Sequence, residues 1–138
     1  AKILVFSQFD STVALLAREL GGDACDTIRG TMTPARRARA LHRFADDAGV
    51  ACLVLTTRTA ACGINITAAN HVIVYDVQWL GALEQQVIGR AYRMGQRRDV
   101  TVHRYVAGDT IEERIARARA ERGDNAPLGD VEMRLLVA

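Results

Sequence analysis

Short apolar runs alternate with stretches of helical periodicity along most of the chain. Ile3 to Phe6 is an apolar run of buried-strand length. It is followed by Ser11 to Leu20, where Val13, Leu16, Ala17 and Leu20 share one helical face until Gly21-Gly22 stops it. A weak strand at Thr27 to Arg29 leads to Thr33-Pro34, an N-cap followed by Pro at the first helical position. The helix that opens there carries an apolar stripe of Ala35, Ala38, Leu41 and Ala45 with Phe44 on its flank. Ala51 to Thr56 and Val72 to Tyr75 read as two more strands, Gly81 to Tyr92 as a helix and Thr101 to Tyr105 as a further strand. Thr110-Ile111-Glu112-Glu113 is a capping box that opens a last helix running to about Arg122. The alternation predicts an α/β domain over residues 1–122, a mostly parallel sheet flanked by helices on both faces. Residues 123–138 read as a Gly-, Asp- and Pro-rich loop and a short element too brief to assign.

Sheets of this kind bind ligands at the loops beyond the carboxyl ends of their strands. Three segments there are chemically unusual: Ser7-Gln8-Phe9, Thr56 to Asn65, and the helix carrying Gln86 to Gln96. Gln86, Arg90 and Arg93 are spaced four and three apart and so are expected on one side of that helix. Two guanidinium forks beside an amide suit the spread charge of a phosphoryl group, with a solvated arginine face as the competing account. In Thr56 to Asn65 the hydroxyls, small side chains and Gly63 let backbone N–H groups approach an oxyanion, against the alternative of an ordinary polar loop. Arg36, Arg37, Arg39 and Arg43 crowd the second helix and read as a solvated face, with DNA contact as the alternative.

Composition removes several chemistries. With 138 residues, 49% of them hydrophobic, the chain has room for one core, and a net charge of +2 does not by itself indicate nucleic acid. Lys2 is the only lysine among 18 Lys and Arg, so a Walker A loop, which needs a Lys after its second Gly, is excluded. Cys25, Cys52 and Cys62 are odd in number without a CxxC, and His42, His71 and His103 share no ligand spacing, so no disulfide framework and no metal site are expected. Reduced thiols and an intracellular setting follow. No apolar stretch approaches the roughly 20 residues of a membrane span. Without an initiating Met, and with Lys2 leading straight into an apolar run, the chain reads as a piece of a longer protein.

Several of these segments, taken in order, resemble the second motor lobe of the Swi/Snf-type DNA-dependent ATPases, a branch of helicase superfamily two. The resemblance rests on Thr57-Arg58, Gly63-Ile64-Asn65, Tyr75-Asp76, Trp79, and Gln86 through Arg90 and Arg93 to Gly95-Gln96. Ile3 to Phe9 is similar to that lobe's first strand and Asp109 to Ile115 to its closing brace helix, so coverage runs from Lys2 to about Arg122. The resemblance implies a RecA-like helicase C-terminal lobe whose N-terminal partner lobe, in the same polypeptide, holds most of the ATP and Mg. No acidic metal-binding motif is expected here, since Asp46-Asp47 and Glu112-Glu113 sit at a helix end and in a capping box. It implies Arg90 and Arg93 as arginine fingers toward the γ-phosphate. Gly63, Asn65 and Gln86 would line the nucleotide cleft, and Ser7, Gln8, Thr56, Thr57, Arg58 and Trp79 would face the DNA backbone. For Trp79 a packed aromatic is the competing account.

The function so implied is ATP-driven translocation along double-stranded DNA. A nucleosome or another DNA-bound protein would be a further partner and a membrane none, and the isolated chain is expected to be catalytically silent. Ala60 and Ala61 stand where the family has Gly, Leu80-Gly81 where it has Asn-Pro, Tyr92 where it has His, and Arg29, open to a phosphate contact, where it has Asp. If position 60 or 61 required positive φ, its methyl would hold the turn away from DNA. The alternative function is therefore a degenerate lobe serving as a non-catalytic DNA or protein docking module, against which Arg90 and Arg93 argue. A self-sufficient small-molecule enzyme is disfavoured, because the chain has neither a GxGxxG turn nor a nucleophile paired with a base.

Overall fold

Alternation along the first strand, β1 (Ile3–Ser7), sends Leu4 and Phe6 to one side of a sheet and Ile3 and Val5 to the other, and all four meet apolar partners. The computed structural model describes residues 1–123; the expected short element beyond Asp130 lies outside them. The elements that follow are α1 (Asp10–Glu19), β2 (Cys25–Ile28), α2 (Pro34–Asp46), β3 (Cys52–Thr56), α3 (Thr57–Ala61), β4 (His71–Val74), α4 (Gly81–Ala91), β5 (Thr101–Arg104) and α5 (Ile111–Arg122). The strands form one sheet in the order β2-β3-β1-β4-β5, every neighbouring pair parallel. This is the parallel, helix-flanked sheet the alternation predicts, and the RecA-like lobe the resemblance implies has such a sheet. Parallel strands need crossover connections, and the helices supply them on both faces.

The larger core joins Leu4, Phe6, Leu53, Leu55, Val72 and Val74 of the sheet to Phe44 of α2, Ala60 of α3 and Val87 and Ala91 of α4. A smaller one packs Val13 and Leu16 of α1 against Val5, Val54 and Ile73. Cys25 and Cys52, register partners on β2 and β3, belong to this second layer. The hydrogen-bonding contact with Cys25, reinforced by burial, pushes the Cys52 thiol up, so it stays protonated.

Two expectations need correction. In α2 the alanine stripe does not face the core: Ala35, Ala38 and Ala45 are exposed, while Ala40 and Phe44 are buried and Leu41 is half-buried. The rotation is set by the Phe44 ring, whose burial outweighs that of several methyl groups. The segment after β3 is a short helix rather than a loop. Thr56 caps it, its hydroxyl accepting from the Thr59 N–H at 3.2 Å. The end of α2 also has an unforeseen cap in Lys2, whose ammonium donates to the carbonyls of Asp47 (2.9 Å), Ala45 (3.3 Å) and Phe44 and lies 5.2 Å from the Phe44 ring centroid. A cation there answers the helix's unpaired carbonyls and its dipole.

Ala60 and Ala61 lie within α3, and neither has positive φ. Their methyls are therefore unstrained, and Ala60 is fully buried. Ala60→Gly should keep the fold and lower stability by about 1–2 kcal/mol, from helix propensity and lost methyl burial, in urea denaturation.

Candidate nucleotide and nucleic-acid site at the carboxyl end of the sheet

The chain leaves β1, β3 and β4 at the same end of the sheet, and there three polar loops meet around one carboxylate. Asp76, two residues past β4, is nearly enclosed. Its Oδ1 accepts from the Gln8 N–H at 3.0 Å and from the Gln78 amide at 2.9 Å, and its Oδ2 accepts from the Ser7 hydroxyl. Gln78, 2% exposed, passes the network on. The Thr57 hydroxyl donates toward its Oε1 at 3.0 Å and toward the Ser7 carbonyl at 3.2 Å. The Gln8 side chain donates to the Val77 carbonyl at 2.6 Å. A buried carboxylate is tolerable only with its lone pairs occupied, and donors from β1 and from the loop after β4 do this here.

Ser7, Thr56 and Thr57 are therefore buried, with their hydroxyls turned inward. Arg58 is exposed and Gln8 is half-buried. Trp79 is half-buried, packed against Val77, Ile115 and Ala116. Beyond α3 the chain turns at Gly63, whose φ of +84° a side chain would strain, and Asn65 is exposed.

Arg90 and Arg93 occupy different surroundings. Arg90, in the last turn of α4, is half-buried and donates from Nη2 to the Ala61 carbonyl at 3.0 Å, tying the end of α3 to α4. Its Nε is enclosed with no hydrogen-bond partner. Arg93 does not share a helical face with Gln86 and Arg90, because α4 ends at Ala91 and Tyr92 leaves the helix at ψ 82°. Arg93 is exposed, in a turn closed by the Gln96 N–H to its carbonyl at 3.0 Å with Gly95 at φ +102°. Gln96 anchors that turn, its amide donating to the carbonyls of Ala69 (2.7 Å) and Thr67 (3.0 Å). Arg98 reinforces it through the Ala68 carbonyl at 2.5 Å. Arg93, Arg97 and Arg98 line an open groove of about 530 Å³. Gln86 is exposed on α4.

Sequence reasoning missed Gln78 and Glu84. Glu84 is buried in α4 between two guanidinium groups, Arg104 of β5 at 2.5 Å and Arg119 of α5 at 2.9 Å. Arg119 also donates to the Gln78 carbonyl at 3.2 Å, so the Asp76 network continues into the closing helix. A polar side chain directly after a buried strand, or on the buried phase of an apolar helix, was the available signal. Arg29, expected to be open to a phosphate contact, pairs with Asp10 at the surface and holds that carboxyl below its ordinary range. Among the described residues no group of three or more His, Cys, Asp or Glu is placed to hold a metal, and no helix is long and apolar enough to cross a membrane.

Residues 1–95 match the family described as helicase conserved C-terminal domain. The DNA repair protein rad8 of Schizosaccharomyces pombe is 35% identical over 88% of this chain and 11% of its own length. The DNA repair protein RAD5A of Arabidopsis thaliana is 32% identical over 97% of this chain and 13% of its own length. The bifunctional helicase and thymine dioxygenase JBP2 of Leishmania braziliensis is 40% identical over 77% and 10% respectively. The chain thus spans about a tenth of the length of the curated relatives it matches. Among solved structures, the C-terminal part of the Fun30 ATPase domain superposes with a TM-score of 0.80 at 25% identity, covering 98% of this chain and 45% of that one. The Sulfolobus solfataricus SWI2/SNF2 ATPase core in complex with dsDNA gives 0.71 at 31% identity, covering 88% and 26%.

Asp76→Ala should cost about 3 kcal/mol in chemical denaturation, because it strands the Ser7, Gln8 and Gln78 donors in a dry interior. Arg29→Ala should leave the unfolding midpoint unchanged and return Asp10 to the ordinary carboxylate range in an NMR titration. A depressed carboxyl pKa stabilises the fold above the ordinary range, and that contribution is lost as pH falls from there through the lowered folded value; at so exposed a pair the effect is screened.

Proposed function

The chain belongs to the helicase conserved C-terminal domain family as the second RecA-like lobe of a Swi/Snf-type ATPase, and on that premise we propose that it is half of an ATP-driven translocase on double-stranded DNA. The single observation that carries the site reading is Arg90, a half-buried guanidinium with one arm on the end of α3 and an enclosed Nε without a partner. A guanidinium whose orientation is already fixed in this way offers its remaining accessible N–H groups to an approaching anion. In this reading the γ-phosphate of ATP, carried by an N-terminal lobe of the same polypeptide, approaches the end of α4 when the lobes close. Arg90 and Arg93 then stabilise charge on the transferring group. The turn after Ala91 gives Arg93 the freedom to reach outward, while Arg90 stays fixed to Ala61.

DNA contact falls to Gln8 and Arg58, the members of the DNA-facing set with accessible polar groups, with Trp79 beside them. Ser7, Thr56 and Thr57 act by position: their inward hydroxyls hold α3 and the β1 loop at one height, which presents backbone N–H groups and Arg58 to phosphates without reading sequence. Gly63, Asn65 and Gln86 border the nucleotide cleft, and the Ala61–Arg90 bond joins the two functions, so nucleotide state at α4 is felt at α3. The donor set here does not fit Mg, which we assign to the partner lobe together with the loop that cradles the phosphates. The isolated chain is accordingly silent in hydrolysis. In cells the site of action is DNA, alone or with a nucleosome or another bound protein.

In the two-lobe protein, Arg93→Ala should lower single-turnover ATP hydrolysis at saturating DNA by about 10³-fold or more while leaving DNA affinity within a few-fold, the range of an arginine finger. Arg93→Lys should rescue poorly, since an ammonium has no bidentate fork. Gln8→Ala with Arg58→Ala should show the opposite split, weaker DNA binding at low salt and near-normal hydrolysis once DNA saturates. Near wild-type turnover in Arg93→Ala would remove the finger assignment.

A further inference from the structure

The sheet ends on one side at β2, whose outer edge pairs with no other strand among the described residues. The Ala24 carbonyl accepts from Cys52 across the β2–β3 ladder, so by alternation Asp26 and Ile28 face β3 while Cys25 and Thr27 turn their N–H and C=O groups outward. An open groove of about 330 Å³ runs along this edge. Its floor is Cys25 to Thr27, one wall is Ala17 of α1 with Gly21 and Gly22 just beyond that helix, and the other is α2. Arg36, Arg39 and Arg43 stand three and four residues apart on that second wall. Arg43 is neutralised by Asp26 at 3.0 Å, but Arg36 and Arg39 have no ion-pair partner among the described residues. The exposed ladder groups of an edge strand are a template for pairing with another chain, and the uncompensated positive charge beside this one selects for an acidic partner.

We propose that the β2 edge is a docking site for an extended acidic peptide segment of a partner protein, which adds as a sixth strand beside β2. The backbone of the segment would pair with Cys25 and Thr27. Because strand side chains alternate in direction, every second residue faces α2, where Asp or Glu meets Arg36 and Arg39. The intervening residues face the end of α1, where Ala17, Gly21 and Gly22 leave room for small apolar side chains. The free ladder groups favour a peptide over a nucleic acid: a phosphate backbone would use the arginines but has no ladder to offer the outward N–H and C=O groups. The surface is independent of the motor reading and lies on a different edge from the Arg90 and Arg93 turn.

Anisotropy titration of the chain with a fluorescein-labelled peptide of alternating Glu and Val, paired with amide NMR, tests this. Saturable binding with shifts centred on Cys25 and Thr27 is expected, with no binding by a Lys-for-Val-and-Glu polycation. Arg36→Glu with Arg39→Glu should weaken it by about tenfold or more, from loss of two pairs and added repulsion, with an unchanged circular dichroism spectrum. Methylating alternate peptide nitrogens should weaken it comparably. Thr27→Pro removes an outward N–H that the sheet itself does not use, so it should spare the fold and lose the peptide. Undiminished binding by the N-methylated peptide, or by Thr27→Pro, would reduce the surface to a charge patch and overturn strand addition. Displacement by single-stranded DNA with the same amide shifts would reassign it to nucleic acid, and a failure to saturate would remove the site.

Discussion

The buried carboxylate of Asp76 is the interaction on which the functional end of this lobe depends. A charge with little access to water persists only if protein donors replace its hydration. Here they come from Ser7 and Gln8 at the end of β1 and from Gln78 after β4. Gln78 in turn engages Thr57, the first residue of α3, and its carbonyl receives Arg119 of α5. Arg119 and Arg104 together enclose Glu84 of α4. One chain of polar contacts thus runs from the loop after β1, through the helix after β3, to the closing helix.

Its value lies in what the parallel sheet cannot do by itself. Apolar packing of Leu4, Phe6, Leu53 and Val72 fixes how the strands stack, but it is non-directional and stops where the strands stop. Directed hydrogen bonds beyond the carboxyl ends set the height and orientation of the loops. The Thr56 cap starts α3 without a connecting loop, and the Ala61–Arg90 contact ties its far end to α4. The result is a preformed surface with Arg58 and Gln8 at one side and the arginine turn held by Gln96 at the other.

Much of the fold was legible in the sequence because its signals are local. The run Ile3 to Phe6, the Thr33-Pro34 start and the Thr110 cap each follow from neighbouring residues, and Gly63 does adopt the left-handed backbone that makes glycine useful in a tight turn. What could not be read depends on distance or brevity. Helix α3 is five residues long, too short for periodicity to register. The α2 stripe was misread because alanines at helical spacing resemble a core face until a single Phe44 outweighs them. The exit of Arg93 from its helix turns on the backbone of Tyr92, which carries no breaker side chain. Ser7, Thr57, Gln78 and Glu84 look like surface residues in one dimension, since their partners are tens of residues away in the chain.

The central claim is that one polar network sets the loops after β1 and β3 together, and hydrogen–deuterium exchange of a Gln78→Ala variant tests it most directly. Gln78 touches Asp76 on one side and Thr57 on the other while lying in neither loop. Exchange should accelerate at Gln8 to Asp10 and at Arg58 to Cys62 by similar factors, with α2 unchanged. Acceleration confined to the loop that holds residue 78, with both other segments at wild-type rates, would contradict a shared network and leave each loop positioned on its own.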